Sequence, residues 1–370
     1  MIPVCEPVLD GNEEQYVLDC LKTNWISSGG KYITAFEKQF SEYCGVPYGV
    51  ACTSCTAALH MALVGLGIGP RDEVIIPDFT LIVSANMVIL SGAKPVLVDV
   101  DPITWCIDPS QIEKKITSKT KAIMAVHMYG HPCDMIAIRA IAKRHRLYVV
   151  EDCAQAHGAE INGQKVGSFG DVACFSFYGN KILTTGEGGM VLCYDKTLVR
   201  RLRLLRDQGF QEPRFIHDVI GFNYRMTNIQ AAIGLAQTEK LEEKVTRKRW
   251  IAQNYNELLS KQPDLTLPSE APWAKNVYWM YGILIGEGFG VSRDDVMQKL
   301  TEKGIETRAF FHPLHLQPVY KSQGSNFPNL SGEYPNSINL GKRGLYLPSG
   351  IGLNETQIKQ VVKKLLECRK

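Results

Sequence analysis

Between about residues 45 and 195, short apolar runs alternate with segments whose apolar residues recur every three or four positions. The runs Val74–Ile76, Pro95–Val100, Ala122–Val126, Tyr148–Glu151, Val172–Phe177 and Gly189–Tyr194 are rich in β-branched and aromatic residues and are bounded by Gly, Pro or Asp, which predicts buried strands. Thr56–Leu66, Ser84–Leu90 and Asp134–Arg146 carry helical spacing, the last behind an aspartate able to cap it. This alternation predicts an α/β fold whose central sheet is mostly parallel, with edge and final strands free to run the other way. In such sheets ligands gather beyond the carboxyl ends of the strands, so the residues just after each run are the ones to inspect.

From Met226 one long helical pattern runs through Ile229, Ile233, Ala236 and Leu241 to about Leu259 and reads as a bridge. Pro263, Pro268 and Pro272 then punctuate a turn-rich passage, followed by Tyr278–Ile285, a helix near Val291–Lys303 and a last helix Glu355–Cys368. The expected division is residues 1–240, a large domain including the N-terminal segment, and 241–370, a smaller α+β domain.

Composition narrows the function. Hydrophobic residues are 45% and charged residues 21% of 370, the balance of a folded globular chain. A net charge of +3 is too small for the basic field that nucleic-acid or anionic-membrane binders carry, so neither partner is expected and any anion must be held locally. The start soon acquires Asp10, Glu13 and Glu14 and lacks a secretion signal, while the apolar run Leu81–Leu90 is interrupted by Ser84 and Asn86. No membrane span is expected, and the cytoplasm is the expected location. Eleven cysteines scattered from Cys5 to Cys368 read mostly as free thiols. Cys52 and Cys55 form a C-x-x-C with no second pair at zinc spacing, and no metal is expected.

Three segments put polar groups where an apolar strand ends. Val149-Val150-Glu151-Asp152-Cys153-Ala154-Gln155 places an acid at a strand mouth with an amide three residues on. Ser176 through Gly189 holds Lys181, 29 residues after Asp152, in a loop with Gly179, Gly186, Gly188 and Gly189, which permit close approach of a ligand. Ala51-Cys52-Thr53-Ser54-Cys55-Thr56 introduces a helix whose first amides suit a phosphate. Lysine, acid and phosphate cradle together are what pyridoxal 5'-phosphate requires: an amine for its aldehyde, a carboxylate to keep the pyridine nitrogen protonated, and amides and hydroxyls for its phosphate.

These segments resemble the DegT/DnrJ/EryC/StrS sugar-nucleotide aminotransferases, within the fold-type I pyridoxal-phosphate enzymes. The resemblance covers nearly the whole chain and is most specific in Trp25-Ile26-Ser27-Ser28-Gly29, Glu151 through Gly158, Phe175 through Gly189, and Gly221 through Asn228. It implies a cytoplasmic homodimer with a shared active site that moves an amino group from L-glutamate to C4 of a nucleotide-linked 4-keto-6-deoxyhexose. Asn180-Lys181, Thr184 through Gly189 and Trp279-Met280-Tyr281 look most like the branch acting on GDP-4-keto-6-deoxymannose, which serves O-antigen and lipopolysaccharide synthesis. The branch acting on dTDP- or UDP-4-keto-6-deoxyglucose is the alternative. Lys181 argues against the related dehydratases, in which a histidine takes its place, and Lys181 with Asp152 argues against a non-catalytic protein on the same fold.

By position the resemblance implies Lys181 as the Schiff-base lysine and proton carrier and Asp152 as partner of the pyridinium nitrogen. It implies Gln155 at the phenolic oxygen, Ser176 and the Cys55–Thr56 backbone at the phosphate, and Asn223 reaching that phosphate from a partner subunit. Trp25, Ser27, Tyr224, Arg308, His312 and His315 are implied near the substrate. Two departures stand out: Cys55 replaces a usual glycine before the phosphate-loop threonine, and Leu81 follows Pro77-Asp78-Phe79-Thr80 where an aromatic residue commonly stacks on the cofactor.

Overall fold

The computed structural model describes residues 1–213, 215–322 and 329–370. Its centre is a seven-stranded sheet of β1 (Tyr48–Cys52), β2 (Glu73–Pro77), β3 (Lys94–Val98), β4 (Thr120–Val126), β5 (Tyr148–Asp152), β6 (Val172–Ser176) and β7 (Gly189–Cys193), in the order β1-β7-β6-β5-β4-β2-β3. All pairings from β6 to β3 are parallel, and β7 is antiparallel to both of its neighbours. The reversed strand is thus the last one in sequence, inserted second from an edge. Strand β1 was not among the predicted runs: in Tyr48-Gly49-Val50-Ala51-Cys52 the one β-branched residue is flanked by Gly49 and Ala51, and pairing with β7 makes it a strand.

The strand interiors are buried along nearly their whole length, as expected when helices cover both faces. Helices Cys55–Gly65, Val83–Leu90 and Met135–His145 lie where their spacing predicts, and Asp134 caps the last by accepting the Ala137 amide at 3.0 Å. The long pattern after Met226 is not one helix. It breaks at Lys240 into Asn228–Glu239 and Leu241–Leu259, because Lys240 leaves the helical region (φ −110°, ψ 11°) and its amide closes the first helix on the Gln237 and Thr238 carbonyls.

A smaller antiparallel sheet follows, of β8 (Leu265–Thr266), β9 (Tyr281–Ile285), β10 (Arg308–Ala309) and β11 (Gly344–Leu347), in the order β8-β9-β11-β10. It shares a second apolar core with Ile251, Tyr255 and Leu259 of the long helix and with Ile358, Val361 and Leu365 of the last helix. Ile2 joins this core and bridges to Ile305, while the Val4 carbonyl accepts the Ser349 amide at 2.9 Å. The first residues therefore strap across the second core before the chain enters the first. No helix among the described residues is long and apolar enough to cross a membrane.

Candidate active site

Strand register assembles the site. Gly189 opens β7 opposite Ser176 of β6 on one side and Cys52 of β1 on the other, so the ends of three adjacent strands are level. A Cβ at residue 189 would run into the Ser54 carbonyl group and, at 2.6 Å, the Cys55 nitrogen. Glycine is required there because the strand backbone lies directly against the turn into helix Cys55–Gly65. Ser54 caps that helix, its hydroxyl accepting the Ala57 amide at 3.1 Å. The amides of Cys55 and Thr56 have no carbonyl four residues back within the helix, which leaves them to an outside acceptor such as phosphate. The Cys55 side chain that replaces glycine is buried, and burial holds its thiol neutral.

Asp152 ends β5 and is buried. Burial raises its pKa, opposed by the Ala154 amide at 3.1 Å, the Ser84 hydroxyl at 3.2 Å and the charges of Lys181 and His127. Lys181 lies in the β6–β7 loop on a turn closed by its own amide on the Tyr178 carbonyl at 2.9 Å. The Phe177–Gly188 and Thr185–Phe177 backbone bonds, both 2.9 Å, pin the loop at its base. Burial lowers the Lys181 pKa from 10.5 to about 7, against the pull of Cys55, Asp152 and Cys5. Much of the amine is therefore neutral near neutral pH, the form that attacks an aldehyde.

Gln155 is held rather than loose. Tyr129 adopts a left-handed backbone (φ 50°), which aims its amide at Gln155 Oε1 at 2.8 Å and leaves the Gln155 NH₂ group as a donor. Ser176 accepts only a long 3.4 Å contact from the Tyr178 amide. Leu81 is 44% exposed at the start of helix Val83–Leu90, three residues before the serine that holds Asp152.

The remaining expected residues form a looser set. Asn223 is exposed and accepts from Arg225 Nε at 3.0 Å, and Tyr224 stacks on Phe222 and bonds His60 Nδ1 at 3.1 Å. This segment runs beside the turn into helix Cys55–Gly65, since the Thr53 amide donates to the Tyr224 carbonyl at 2.9 Å. Trp25 is 60% exposed; its carbonyl and that of Ser27 are both held by Asn228, at 2.7 and 2.6 Å. Arg308 is exposed and pairs with Glu306 at 3.3 Å, and His312 is exposed. His315 is already engaged: its amide and Nδ1 meet Asp78 at 2.8 and 2.7 Å, which leaves only Nε2 for another partner.

Sequence reasoning missed several residues around the lysine. Ser84 on Asp152 and Tyr129 on Gln155 are long-range partners with no motif of their own. Trp279 lies with its ring centroid 3.4 Å from Lys181 Nζ and donates Nε1–H to the Asn180 carbonyl at 2.8 Å. Trp279-Met280-Tyr281 carried part of the family resemblance, but nothing in the sequence assigned the indole a role. Beneath the site, His127, Glu151 and Cys153 bring three ligand-type atoms within 4.8 Å of one another. The Glu151 carboxylate there accepts the Gly167, Phe169 and Gly170 amides and His127 Nε2, at 2.6 to 3.1 Å, which makes it a fastening for the 167–170 turn. The cysteines of the described residues are all free.

The chain belongs to the DegT/DnrJ/EryC1/StrS aminotransferase family, whose model matches residues 7–366. It is 48% identical over 366 residues to the GDP-perosamine synthase of Caulobacter vibrioides, covering 98% of this chain and 97% of that one. To the GDP-perosamine synthase of Escherichia coli O157:H7 it is 45% identical, covering 99% and 98%. The structure superposes on the aminotransferase TlmJ from Streptoalloteichus hindustanus with a TM-score of 0.92 at 30% identity, over 100% of this chain and 98% of that chain.

Proposed function

We propose that the protein transfers an amino group from L-glutamate to C4 of GDP-4-keto-6-deoxymannose, giving GDP-perosamine and 2-oxoglutarate. Identities of 41–48% to three GDP-perosamine synthases, end to end, support the substrate. The observation that carries the chemistry is the largely enclosed, partly neutral Lys181 within electrostatic reach of the buried Asp152.

Pyridoxal 5'-phosphate is the cofactor, and the donor set fits it: an amine of lowered pKa, a buried carboxylate, an oriented amide donor at Gln155 and a helix start flush against Gly189. When bound, it supplies an aldehyde for the lysine and an electron sink for the carbon that loses a proton. Lys181 is the residue that would hold it, and its amine would carry the proton taken from the glutamate α-carbon and deliver one at sugar C4. Asp152 would face the ring nitrogen and keep it protonated, Gln155 would donate to the phenolic oxygen, and Ser176 with the Cys55 and Thr56 amides would bind the phosphate. Leu81 would take the place of an aromatic residue beside the ring. Arg308 offers a guanidinium fork to pyrophosphate or to a glutamate carboxylate, with Trp25, Ser27, Tyr224, His312 and the free nitrogen of His315 lining the sugar side.

The working unit is a homodimer in the cytoplasm, in which Asn223 reaches the partner's phosphate. Ile216 and Ile220, 56% and 91% exposed on the segment leading to Asn223, support its packing on a second copy. Glutamate-dependent amination of a panel of GDP-, dTDP- and UDP-linked 4-ketosugars tests the reading: GDP-4-keto-6-deoxymannose should yield 2-oxoglutarate fastest. Preference for a dTDP- or UDP-linked sugar would overturn the substrate, and no turnover with any of them the activity.

A further inference from the structure

Trp279 lies two residues before strand β9 of the smaller sheet, yet its ring lies against the Lys181 amine in the lysine loop of the larger one. Three contacts fix it. Its Nε1–H is bonded to the Asn180 carbonyl, one peptide before Lys181; its ring stacks against Tyr129 at 6.4 Å and 27°; and a Cβ on Gly130 would come within 2.7 Å of its backbone nitrogen. Trp279 is 4% exposed, so little water competes for the ring face. An ammonium over an indole face is held by the ring quadrupole, more strongly when desolvated.

On the reading above that Lys181 is the cofactor's lysine, we propose that Trp279 is a positioning residue: its ring face is the resting place of the Lys181 amine whenever that amine is not bonded to the cofactor. The reaction requires such a place. Glutamate displaces the lysine, and the freed amine must then stay within reach of the substrate carbon to take its proton rather than swing into water. The indole face favours the protonated amine, while burial favours the neutral one. The two together leave an amine able both to accept and to release a proton near neutrality. The other groups facing this amine are Asp152, the thiols of Cys5 and Cys55, and the buried His157. Glu6 and Lys248 line the same pocket. Removing the ring leaves these in place and removes one element that selects the charged form.

The test uses trace acetylation of the cofactor-free full chain with acetic anhydride across pH, reading Lys181 by peptide mass spectrometry. The Lys181 midpoint in wild type is expected near 7. In Trp279→Leu it should fall by about one unit, with a smaller fall in Trp279→Phe, which keeps an aromatic face. Lys248, buried with a pKa of about 8, serves as the control and should not move. Should Trp279→Leu fail to fold, biosynthetic mono-, di- and trifluorination of tryptophan weakens the ring face at constant shape, and the midpoint should fall stepwise with fluorine number. An unchanged midpoint in both series, or a Lys248 midpoint that moves with that of Lys181, overturns the proposal. Borohydride trapping of cofactor on a residue other than Lys181 would instead overturn the assignment of the cofactor lysine, leaving the midpoint series to stand.

Discussion

Lys181→Met in the cofactor-free protein isolates the cost of housing an amine in this pocket. The lysine pKa falls from 10.5 to about 7 on folding, so between those values the unfolded chain binds more protons than the native one. Stability contributed by this group therefore rises as pH climbs from about 7 to 10.5. Below 7 both states are charged and the native state carries the full penalty; above 10.5 both are neutral and none remains. The difference of 3.5 units corresponds to about 5 kcal/mol, which water reaching the partly exposed side chain trims to about 3–5 kcal/mol. Methionine keeps an unbranched chain one atom shorter and without the charge, and Lys248 titrates alike in both proteins and cancels. Urea unfolding at fixed protein concentration and pH 6.5, 8 and 9.5 should show Lys181→Met more stable than wild type at pH 6.5. The gap should close by somewhat over 1 kcal/mol per pH unit above 7. A gap that stays constant with pH would refute the reasoning, since it would mean that Lys181 titrates equally in both states.

Ser84→Ala removes the hydroxyl at 3.2 Å from buried Asp152 and should cut kcat about tenfold or more, with the visible cofactor band shifted toward its unprotonated-ring form; unchanged kinetics would remove Ser84 from the site. Gly189→Ala drives a methyl group into the Ser54 and Cys55 backbone and should weaken cofactor retention on dialysis far more than Gly179→Ala in the same loop, whose Cβ meets only the Gly186 carbonyl at 3.9 Å. Glu151→Gln leaves three backbone amides and His127 sharing a weaker acceptor and should lower stability by about 3 kcal/mol in urea unfolding; a change below 1 kcal/mol would contradict the clamp.

What the sequence disclosed and what it hid divide along a physical line. Strands β2 to β7 carry their own apolar runs, and Asp134 announces its helix, because the signal is local. Strand β1 does not: Tyr48–Cys52 becomes a strand through its partner β7, nearly 140 residues away. The break at Lys240 was invisible because apolar periodicity continues across it while a single residue turns the chain. Lys181, Asp152 and Gln155 were legible as motif residues in loops after strands. Their supports were not, since Ser84, Tyr129 and Trp279 meet them only through the sheet register and the packing of the smaller sheet's segment against the larger. His315 makes the same point in reverse, because nothing near it in sequence foretells that Asp78 occupies its Nδ1.

The most direct measurement is borohydride reduction of the cofactor-loaded enzyme followed by peptide mass spectrometry. The reduced cofactor should be found on the peptide containing Lys181 and nowhere else, with the visible band lost on reduction. Cofactor mass on a different lysine, or retained by the protein without any covalent adduct, would contradict Lys181 as the cofactor lysine.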